Sequence, residues 1–272
     1  MIKKLFLIIL LLFILHNAAF SQQDIFWDKE ISLSSGKIGK FFAFTNDRTL
    51  GLVYAATSGR YDLYFRYTED TFGWSSPLQI VNNYFTNNPT GDDFAAGFDA
   101  GNNLFICYRE NKNKFSIVKL NYPFENNKPV KFAEIESDKV IFLPRMYVDS
   151  SGNIHLLYNH NEASTFVMNY KQIDSSGNIV LESMIGRDYK SSINPMILES
   201  GENLYIAFQA KDDKIESGFY YNIILASSKN KGKNWSYKTI VASKGENNQG
   251  PHLFLKNNIF HIVLLNSFDR PI

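Results

Sequence analysis

The chain has 272 residues, a formal net charge of +1, 44% hydrophobic residues and a single cysteine, Cys107. This hydrophobic content is enough to bury a sizeable core and excludes wholesale disorder. A nucleic-acid-binding protein needs a basic face, which the near-neutral charge does not favour. One cysteine excludes both a disulfide scaffold and a cysteine-rich metal site. We therefore expect a globular protein held together by its core.

Residues 1–21 have the pattern of a secretory signal peptide. Lys3 and Lys4 precede an unbroken apolar run, Leu5–Leu15, and small residues stand near Ser21, where a signal peptidase would cleave. The run is shorter than the roughly 20 residues that cross a bilayer, although an uncleaved anchor is the alternative. The pattern predicts a secreted, periplasmic or cell-surface protein that meets the membrane only during export.

A motif of about fifty residues recurs along the chain. An apolar run, an acidic turn rich in Gly and Asn, and a second apolar run occur around Asp99, Asp149 and Glu199, each 50 residues after the last (149 − 99 and 199 − 149). Looser copies lie near Asp47 and Asn257. Each copy predicts a β-hairpin whose turn residues tolerate positive φ.

The three tryptophans, Trp27, Trp74 and Trp235, each open a further strand-like run. Together with the hairpins and the runs between them, they give four short strands for each repeat. Four strands in each repeat of about fifty residues are typical of a β-propeller blade. We find no convincing run with helical spacing. A many-stranded β-sandwich is the alternative, although it would not require so regular a repeat.

One turn carries a recognisable motif. The segment with Ser228, Asn230, Gly232 and Trp235 resembles the Asp-box of sialidase-like propellers (BNR repeats), with Asn230 in place of the aspartate. Asn230 can bond the backbone of the turn, Gly232 can adopt a left-handed conformation, and Trp235 can bury its ring. The resemblance covers about residues 24–265, and it implies a structural role for these four residues.

The count of strands leaves the ring incomplete. Residues 22–272 predict an all-β propeller domain of four-stranded antiparallel blades, with about five blades present. We expect either a C-terminally incomplete fragment of a longer protein, with an incomplete six-bladed ring, or an unusual five-bladed ring. The run that Trp27 opens is expected to be an outermost strand, of the kind that completes the last blade in many propellers. The C-terminal copy lacks its later strands, so we expect an unpaired sheet edge there.

The repeat also predicts which residues face a ligand. Loops that enter first strands and loops that join second to third strands share one end of the blades. The candidate ligand-binding residues on these loops are Arg60, Asp92, Arg109, Arg145 and Arg187. In sialidases, arginines clamp a carboxylate while an acid and a tyrosine nucleophile act beside it. The stretch 36–42 lacks the arginine that the family places near its first inner strand, and no catalytic residue can be named.

No motif points to a metal or a cofactor. The repeated pentapeptide at 149–153 and 174–178 is explained by a hairpin turn better than by a calcium loop. The histidines lack metal-binding spacing, and no glycine-rich loop suits a phosphate. Cys107 lies in an apolar run and is expected to be a buried, unreactive thiol.

These observations favour a non-catalytic module that binds a glycan or a surface protein. The alternative is an exo-sialidase-type glycoside hydrolase, and a truncated product without an independent function is a third possibility. Three arginines converging on one carboxylate-sized pocket, beside an acid and a Tyr–Glu pair, would favour the hydrolase. Arginines scattered around the rim would favour binding, because function belongs to the site and not to the fold.

Overall fold

A computed structural model describes residues 37–46, 48–57, 61–69, 73–86, 93–163, 165–211, 220–242, 246–256 and 259–268. The chain divides into two compact units, residues 1–32 and 33–272, and all described residues belong to the second. The expected signal peptide, Trp27, Arg60 and Asp92 lie outside the described residues. Within the described part, no helix is long and apolar enough to span a bilayer.

The described secondary structure consists of eighteen β-strands in five sheets, numbered here as blades 1 to 5, and a short 3-10 helix at Phe124–Asn126. Blade 1 holds β1 (Lys37–Thr45), β2 (Leu50–Thr57), β3 (Tyr61–Thr68) and β4 (Leu78–Val81). Blade 2 holds β5 (Phe94–Phe98), β6 (Leu104–Asn111), β7 (Lys114–Leu120) and β8 (Val130–Glu136). Blade 3 holds β9 (Ile141–Val148), β10 (Ile154–Glu162), β11 (Thr165–Ile173) and β12 (Ile179–Ile185).

The remaining two sheets differ in size. Blade 4 holds β13 (Ser191–Ser200), β14 (Asn203–Lys211), β15 (Asn222–Ser228) and β16 (Ser236–Val241). Blade 5 holds only β17 (Glu246–Lys256) and β18 (Ile259–Phe268) among the described strands. Each blade is an antiparallel meander, and the first strands β1, β5, β9, β13 and β17 pack side by side in chain order. This arrangement confirms the predicted propeller of about five blades and is incompatible with the β-sandwich.

Acidic turns connect the strands as the repeat predicts. In the turn after β9, Asp149 Oδ1 accepts hydrogen bonds from the backbone N–H groups of Ser151 at 2.9 Å and Asn153 at 2.8 Å, and Gly152 has a φ of 79°. The turn at Asp174 repeats this pattern. The pentapeptides are therefore hairpin turns, because their carboxylates hold backbone amides of the turn itself.

The core lies between neighbouring blades, because alternate side chains of each strand face opposite sides of the sheet. Phe65, Phe94 and Phe124 pack between blades 1 and 2, while Leu157 and Phe208 pack between blades 3 and 4. Cys107 is fully buried between blades 2 and 3, as expected, and burial raises the pKa of its thiol.

Four of the five first strands contain a bulge at the same level. Two residues without a paired partner interrupt the register at positions 39–40, 143–144, 194–195 and 250–251. Leu143, Asn194 and Gly250 have φ values of 51°, 52° and 55°, and a proline follows each of them. Bulges bend a strand and redirect its side chains, so this level of the blades is where the inner strands can present groups to a ligand.

Two tryptophans stand before outer strands, and the last described strand lies at the edge of its sheet. Trp235 directly precedes β16, and Trp74 lies four residues before the start of β4; both strands are the outermost of their blades, as predicted. Among the described strands, β18 pairs only with β17, in agreement with the expected unpaired edge. The sixth blade has no counterpart among these strands and stays a prediction.

Candidate functional site

The end of the blades at which the first strands begin is called the entry face here. It carries the connections into β5, β9, β13 and β17 and those between second and third strands. Of the five predicted ligand-binding residues, Arg60 and Asp92 lie outside the described residues. Arg109 and Arg187 lie at this face, Arg145 lies within β9 beyond its bulge, and the three stand in separate environments.

Arg109 lies inside the protein, only 2% exposed. Its Nη1 is 3.3 Å from Asp93 Oδ2, its Nη2 donates to the carbonyl of Lys112, and its guanidinium lies 5.0 Å from the centre of the Phe85 ring. Asp93 Oδ1 in turn accepts from the N–H of Leu143 in the bulge of β9. Arg109 therefore joins blade 2 to blade 3 and, in this geometry, does not reach a ligand.

The residues at the equivalent positions of the next two blades also join neighbouring blades. Asn159 and Gln209 follow Arg109 at intervals of 50 residues (159 − 109 and 209 − 159), and both are buried. Asn159 Nδ2 donates to the carbonyl of Ser192 at 2.7 Å, and Gln209 Oε1 accepts from the N–H of Gly250 at 3.0 Å. Each bond ties a blade to the first strand of the next. Sequence reasoning missed this series, although the fifty-residue spacing contains the signal.

Arg145 lines a cavity of about 240 Å³ between the first strands. Its guanidinium lies 5.2 Å from the centre of the Phe42 ring, and its Nη1 donates to the carbonyl of Pro144 at 2.8 Å. The short side chains of Ala95 and Ala96 leave room in this otherwise apolar space. Arg145 is thus engaged with its own strand and with blade 1.

Arg187 lines a larger cleft, of about 500 Å³, between blades 3 and 4. This volume falls in the range of small-molecule sites. The cleft opens at the entry face, and Arg187 is exposed. The polar, aromatic and thioether side chains that line it include Glu162, Thr165, Phe166, Met184, Arg187, Tyr189 and Lys190.

The loop that carries Arg187 is held in one conformation. Gly186 has a φ of 66°, and a Cβ atom there would lie 2.7 Å from Ser192 Oγ, so the position requires glycine. The N–H of Gly186 donates to the Tyr237 hydroxyl, and the N–H of Tyr189 donates to the carbonyl of Gly186 at 3.0 Å. These bonds fix the backbone on both sides of Arg187 before any ligand arrives.

The opposite wall of the cleft belongs to the hairpin between β10 and β11. The N–H of Phe166 donates to Ser191 Oγ at 3.2 Å, which joins the two walls. Lys139 Nζ lies 2.9 Å from Glu162 Oε1, and this hydrogen bond holds the pKa of Glu162 below its ordinary value. A general acid at neutral pH needs a raised pKa. Glu162 is therefore suited to accepting hydrogen bonds and not to donating a proton.

A second titratable cluster lies in the same interface, at the end opposite the entry face. His155 Nδ1 is 2.7 Å from the Tyr170 hydroxyl, and its Nε2 is 3.2 Å from Asp149 Oδ2. Burial lowers the pKa of His155, although Asp149 opposes this. Burial also disfavours the charged form of Asp149, but hydrogen bonds from Asn153 and His155 outweigh it and lower the pKa of the carboxyl. The cluster has no opening to solvent and is structural.

The turn of blade 4 packs onto this cluster. Ser228 Oγ accepts from the N–H of Gly232 at 2.8 Å, and Asn230 Oδ1 accepts from the N–H of Asn234 at 2.9 Å. The Trp235 ring meets Tyr170 edge to face, 5.5 Å between centres. These residues form the turn and its contact with Tyr170, and they lie far along the blades from the cleft. Within the described part of the chain, no cluster of three His, Cys, Asp or Glu residues could hold a metal.

Comparisons with known proteins identify the fold. Neither a scan of protein families nor a search of curated proteins gives a match. Among solved structures, the chain resembles an endo-arabinase from Bacteroides thetaiotaomicron, with a TM-score of 0.50 and 12% identity over 88% of this chain and 97% of that one. It also resembles a glycoside hydrolase family 43 arabinoxylan arabinofuranohydrolase from Bacillus subtilis, with a TM-score of 0.52 and 10% identity over 83% of this chain.

A third similar structure is a family 43 β-1,3-galactosidase, with a TM-score of 0.51 and 10% identity over 83% of this chain. The chain spans 55% of that protein and 58% of the arabinofuranohydrolase. At these identities the likeness shows a β-propeller fold. Two of these neighbours are named as family 43 glycoside hydrolases, and the comparisons do not show a sialidase-like identity.

Proposed function

We propose that this protein is exported, with its leader removed near Ser21, and that it binds a glycan without cleaving it. The binding site is the cleft between blades 3 and 4. The observation that carries the proposal is the preformed loop at Gly186, which holds Arg187 at the mouth of a polar cleft with aromatic walls.

The composition of the cleft suits a sugar. Arg187 and Lys190 donate hydrogen bonds, ionised Glu162 accepts them, and the Thr165 hydroxyl can do either. Tyr189 offers an aromatic surface to the apolar C–H face of a sugar ring. Because the loop is already fixed, little conformational entropy is lost on binding.

Three features support binding over hydrolysis. Arg109, Arg145 and Arg187 are distributed between a buried ion pair, the space between the first strands and the cleft, so these three form no common carboxylate clamp. The cleft acid, Glu162, has a lowered pKa. Hydrolysis by the usual route needs two carboxyl groups flanking one bond, one of them a proton donor, and Asp93 is already occupied by Arg109 and Thr86.

The neighbouring structures suggest the first ligands to test. Their names describe enzymes acting on arabinose- and galactose-containing glycans. We therefore propose a carbohydrate ligand before a protein ligand, and arabino- and galacto-oligosaccharides before sialosides.

A glycan array followed by titration calorimetry tests the proposal. We expect binding that Arg187→Gln weakens about tenfold, the effect of losing about one charged hydrogen bond. Arg48→Gln, at an exposed arginine near the other end of blade 1, is the matched control and leaves affinity unchanged. Release of a fluorophore from a sialoside would establish the hydrolase instead, and retention of full affinity in Arg187→Gln would exclude this cleft.

A further inference from the structure

The two walls of the cleft between blades 3 and 4 differ in charge. On the wall formed by the β10–β11 hairpin, Glu162 Oε1 lies 2.9 Å from Lys139 Nζ, so the negative charge is matched by a neighbouring cation. On the wall formed by the loop into β13, Arg187 and Lys190 line the cleft and are exposed. Among the described residues, neither of these two cations has an ion pair or a side-chain hydrogen bond. The loop wall is therefore positive.

Asp188, the neighbour of Arg187, lies outside the lining of the cleft. Its negative charge acts on Tyr237 of the outer strand β16, where it adds to burial in raising the pKa of the hydroxyl. Among the described residues that line the cleft, Glu162 is the only acid. The lining therefore has an excess of positive charge, and a recess with charge mainly of one sign attracts ligands of the opposite sign.

The backbone holds both cations at the cleft before a ligand binds. The N–H of Tyr189 donates to the carbonyl of Gly186 at 3.0 Å and closes the turn that contains Arg187. The N–H of Lys190 donates at 3.1 Å to the carbonyl of Lys211 in β14. Because the loop does not have to be ordered on binding, an anion that joins the two cations loses little affinity to conformational entropy.

An aromatic ring lies on the same loop as the cations. The ring centre of Tyr189 is 6.0 Å from that of Phe208 and 6.3 Å from that of Tyr237, with both contacts edge to face, so the ring is held in place. A sugar stacked on Tyr189 has its substituents beside the two cations, which line the same cleft. Its hydroxyl groups can meet Thr165 and Glu162 on the opposite wall.

We propose that the sugar bound in this cleft is acidic, with a carboxylate or sulfate group held between Arg187 and Lys190. The inference rests on the proposed function and adds the class of glycan. A neutral sugar would partly desolvate two cations without supplying a counter-charge, whereas an anionic group forms charge-assisted hydrogen bonds with both. A galacturonide is the acidic counterpart of the galacto-oligosaccharides proposed above.

Matched pairs of ligands test the inference by titration calorimetry. An oligogalacturonide is compared with its methyl ester, and a sulfated galacto-oligosaccharide with its desulfated form. We expect the charged member of at least one pair to bind about tenfold more tightly, and the pair that shows this preference identifies the group as carboxylate or sulfate. The preference is expected to shrink as the salt concentration is raised to about 1 M, because the cations are exposed.

The outcomes separate this inference from the proposed function. Equal affinity within both pairs means that the cleft does not read charge, which overturns the inference and leaves glycan binding intact. Failure to bind any glycan, charged or neutral, overturns the proposed function and the inference with it.

A charge-removing variant places the acidic group in the cleft. Lys190→Gln is expected to weaken binding of the preferred charged ligand about tenfold while leaving the affinity for its neutral partner nearly unchanged. Lys229→Gln is the matched control, because it removes the same charge from an exposed lysine at the other end of blade 4 and changes neither affinity. Equal weakening of both ligands by Lys190→Gln would mean that this lysine binds hydroxyl groups and would overturn the assigned site.

Discussion

The interface between blades 3 and 4 has two ends with opposite designs. At the end away from the entry face, Asp149, His155 and Tyr170 are buried and bonded to one another, and Gly232 and Trp235 close over them. At the entry face, the same two blades separate around a cleft of about 500 Å³ whose polar groups meet solvent.

The difference shows how one repeat provides both stability and a site. A buried polar cluster is stabilising only when all its members are satisfied, which requires close packing and fixes the blades relative to each other. The loops at the entry face do not have to pack closely, because the buried cluster at the other end already fixes the two blades relative to each other. We expect changes at the closed end to alter stability and changes at the cleft to alter binding.

The largest effect is expected from Gly232→Ala. A Cβ atom at this position would lie 2.4 Å from the Tyr170 hydroxyl, and the φ of 88° is itself unfavourable for alanine. We expect a loss of about 3 kcal/mol in the free energy of unfolding, measured with denaturant. Gly201→Ala is the control, because its φ is 61° but no atom lies within 4 Å of the added carbon. That control loses only about 1 kcal/mol. Equal losses in the two variants would mean that the Tyr170 contact does not matter.

The next effect is expected from Tyr170→Phe. Because the Asp149 carboxylate can only accept, Nε2 of His155 carries the proton and Nδ1 accepts from the Tyr170 hydroxyl. Removing the hydroxyl leaves a buried acceptor without its donor and costs about 1–3 kcal/mol. Glycan affinity is expected to stay unchanged, since the cleft is at the other end of the interface. A parallel loss of affinity would contradict the separation of the two ends.

Much of the fold could be predicted from the sequence, because a propeller repeats a local sequence pattern. The spacing of Asp99, Asp149 and Glu199 located the hairpins, and Trp74 and Trp235 located outer strands, since each signal depends on turn chemistry within a few residues. The inner bulges were missed. They depend on a residue with positive φ before a proline, as at Leu143 and Asn194, a combination that local preferences disfavour.

The site was harder to predict from the sequence, because a residue's role depends on which side of a blade its side chain faces. Arg109 lies in a second strand, Arg145 in a first strand and Arg187 in a loop that enters a first strand, and all three were predicted to face one ligand. The arginines differ in burial, since Arg109 forms an internal ion pair with Asp93 while Arg187 remains exposed. The walls of the cleft come from two blades, and no spacing within one repeat encodes the distance between them.

The pH dependence of stability gives a smaller test of the closed end. The folded-state pKa of His155 is lowered from 6.5, chiefly by burial, so the unfolded state binds more protons just below that pH. The contribution of His155 to the free energy of unfolding is therefore at its full value above about pH 6.5. It decreases as the pH falls from there through the folded-state pKa of His155. We expect His155→Gln to have a shallower decline between about pH 6.5 and pH 5 than the wild type. Burial also lowers the pKa of His160, so some decline remains in the variant. Identical pH profiles would show that His155 does not titrate on unfolding.

The smallest effect on stability is expected from Lys139→Gln at the rim of the cleft. The pair of Lys139 and Glu162 is exposed, with 38% and 59% of the side chains accessible, so water screens it and the denaturation midpoint is expected to stay the same. The pKa of Glu162 is expected to rise towards its ordinary value, because the hydrogen bond from Lys139 is what lowers it. NMR titration of the Glu162 carboxyl measures this directly. Since the carboxylate stays ionised at neutral pH, glycan affinity changes little there but declines at a higher pH than in the wild type as the solution is acidified. A cleft that behaves in this way uses Glu162 as a hydrogen-bond acceptor, whereas unchanged affinity across the acid range would place the bound sugar away from this wall.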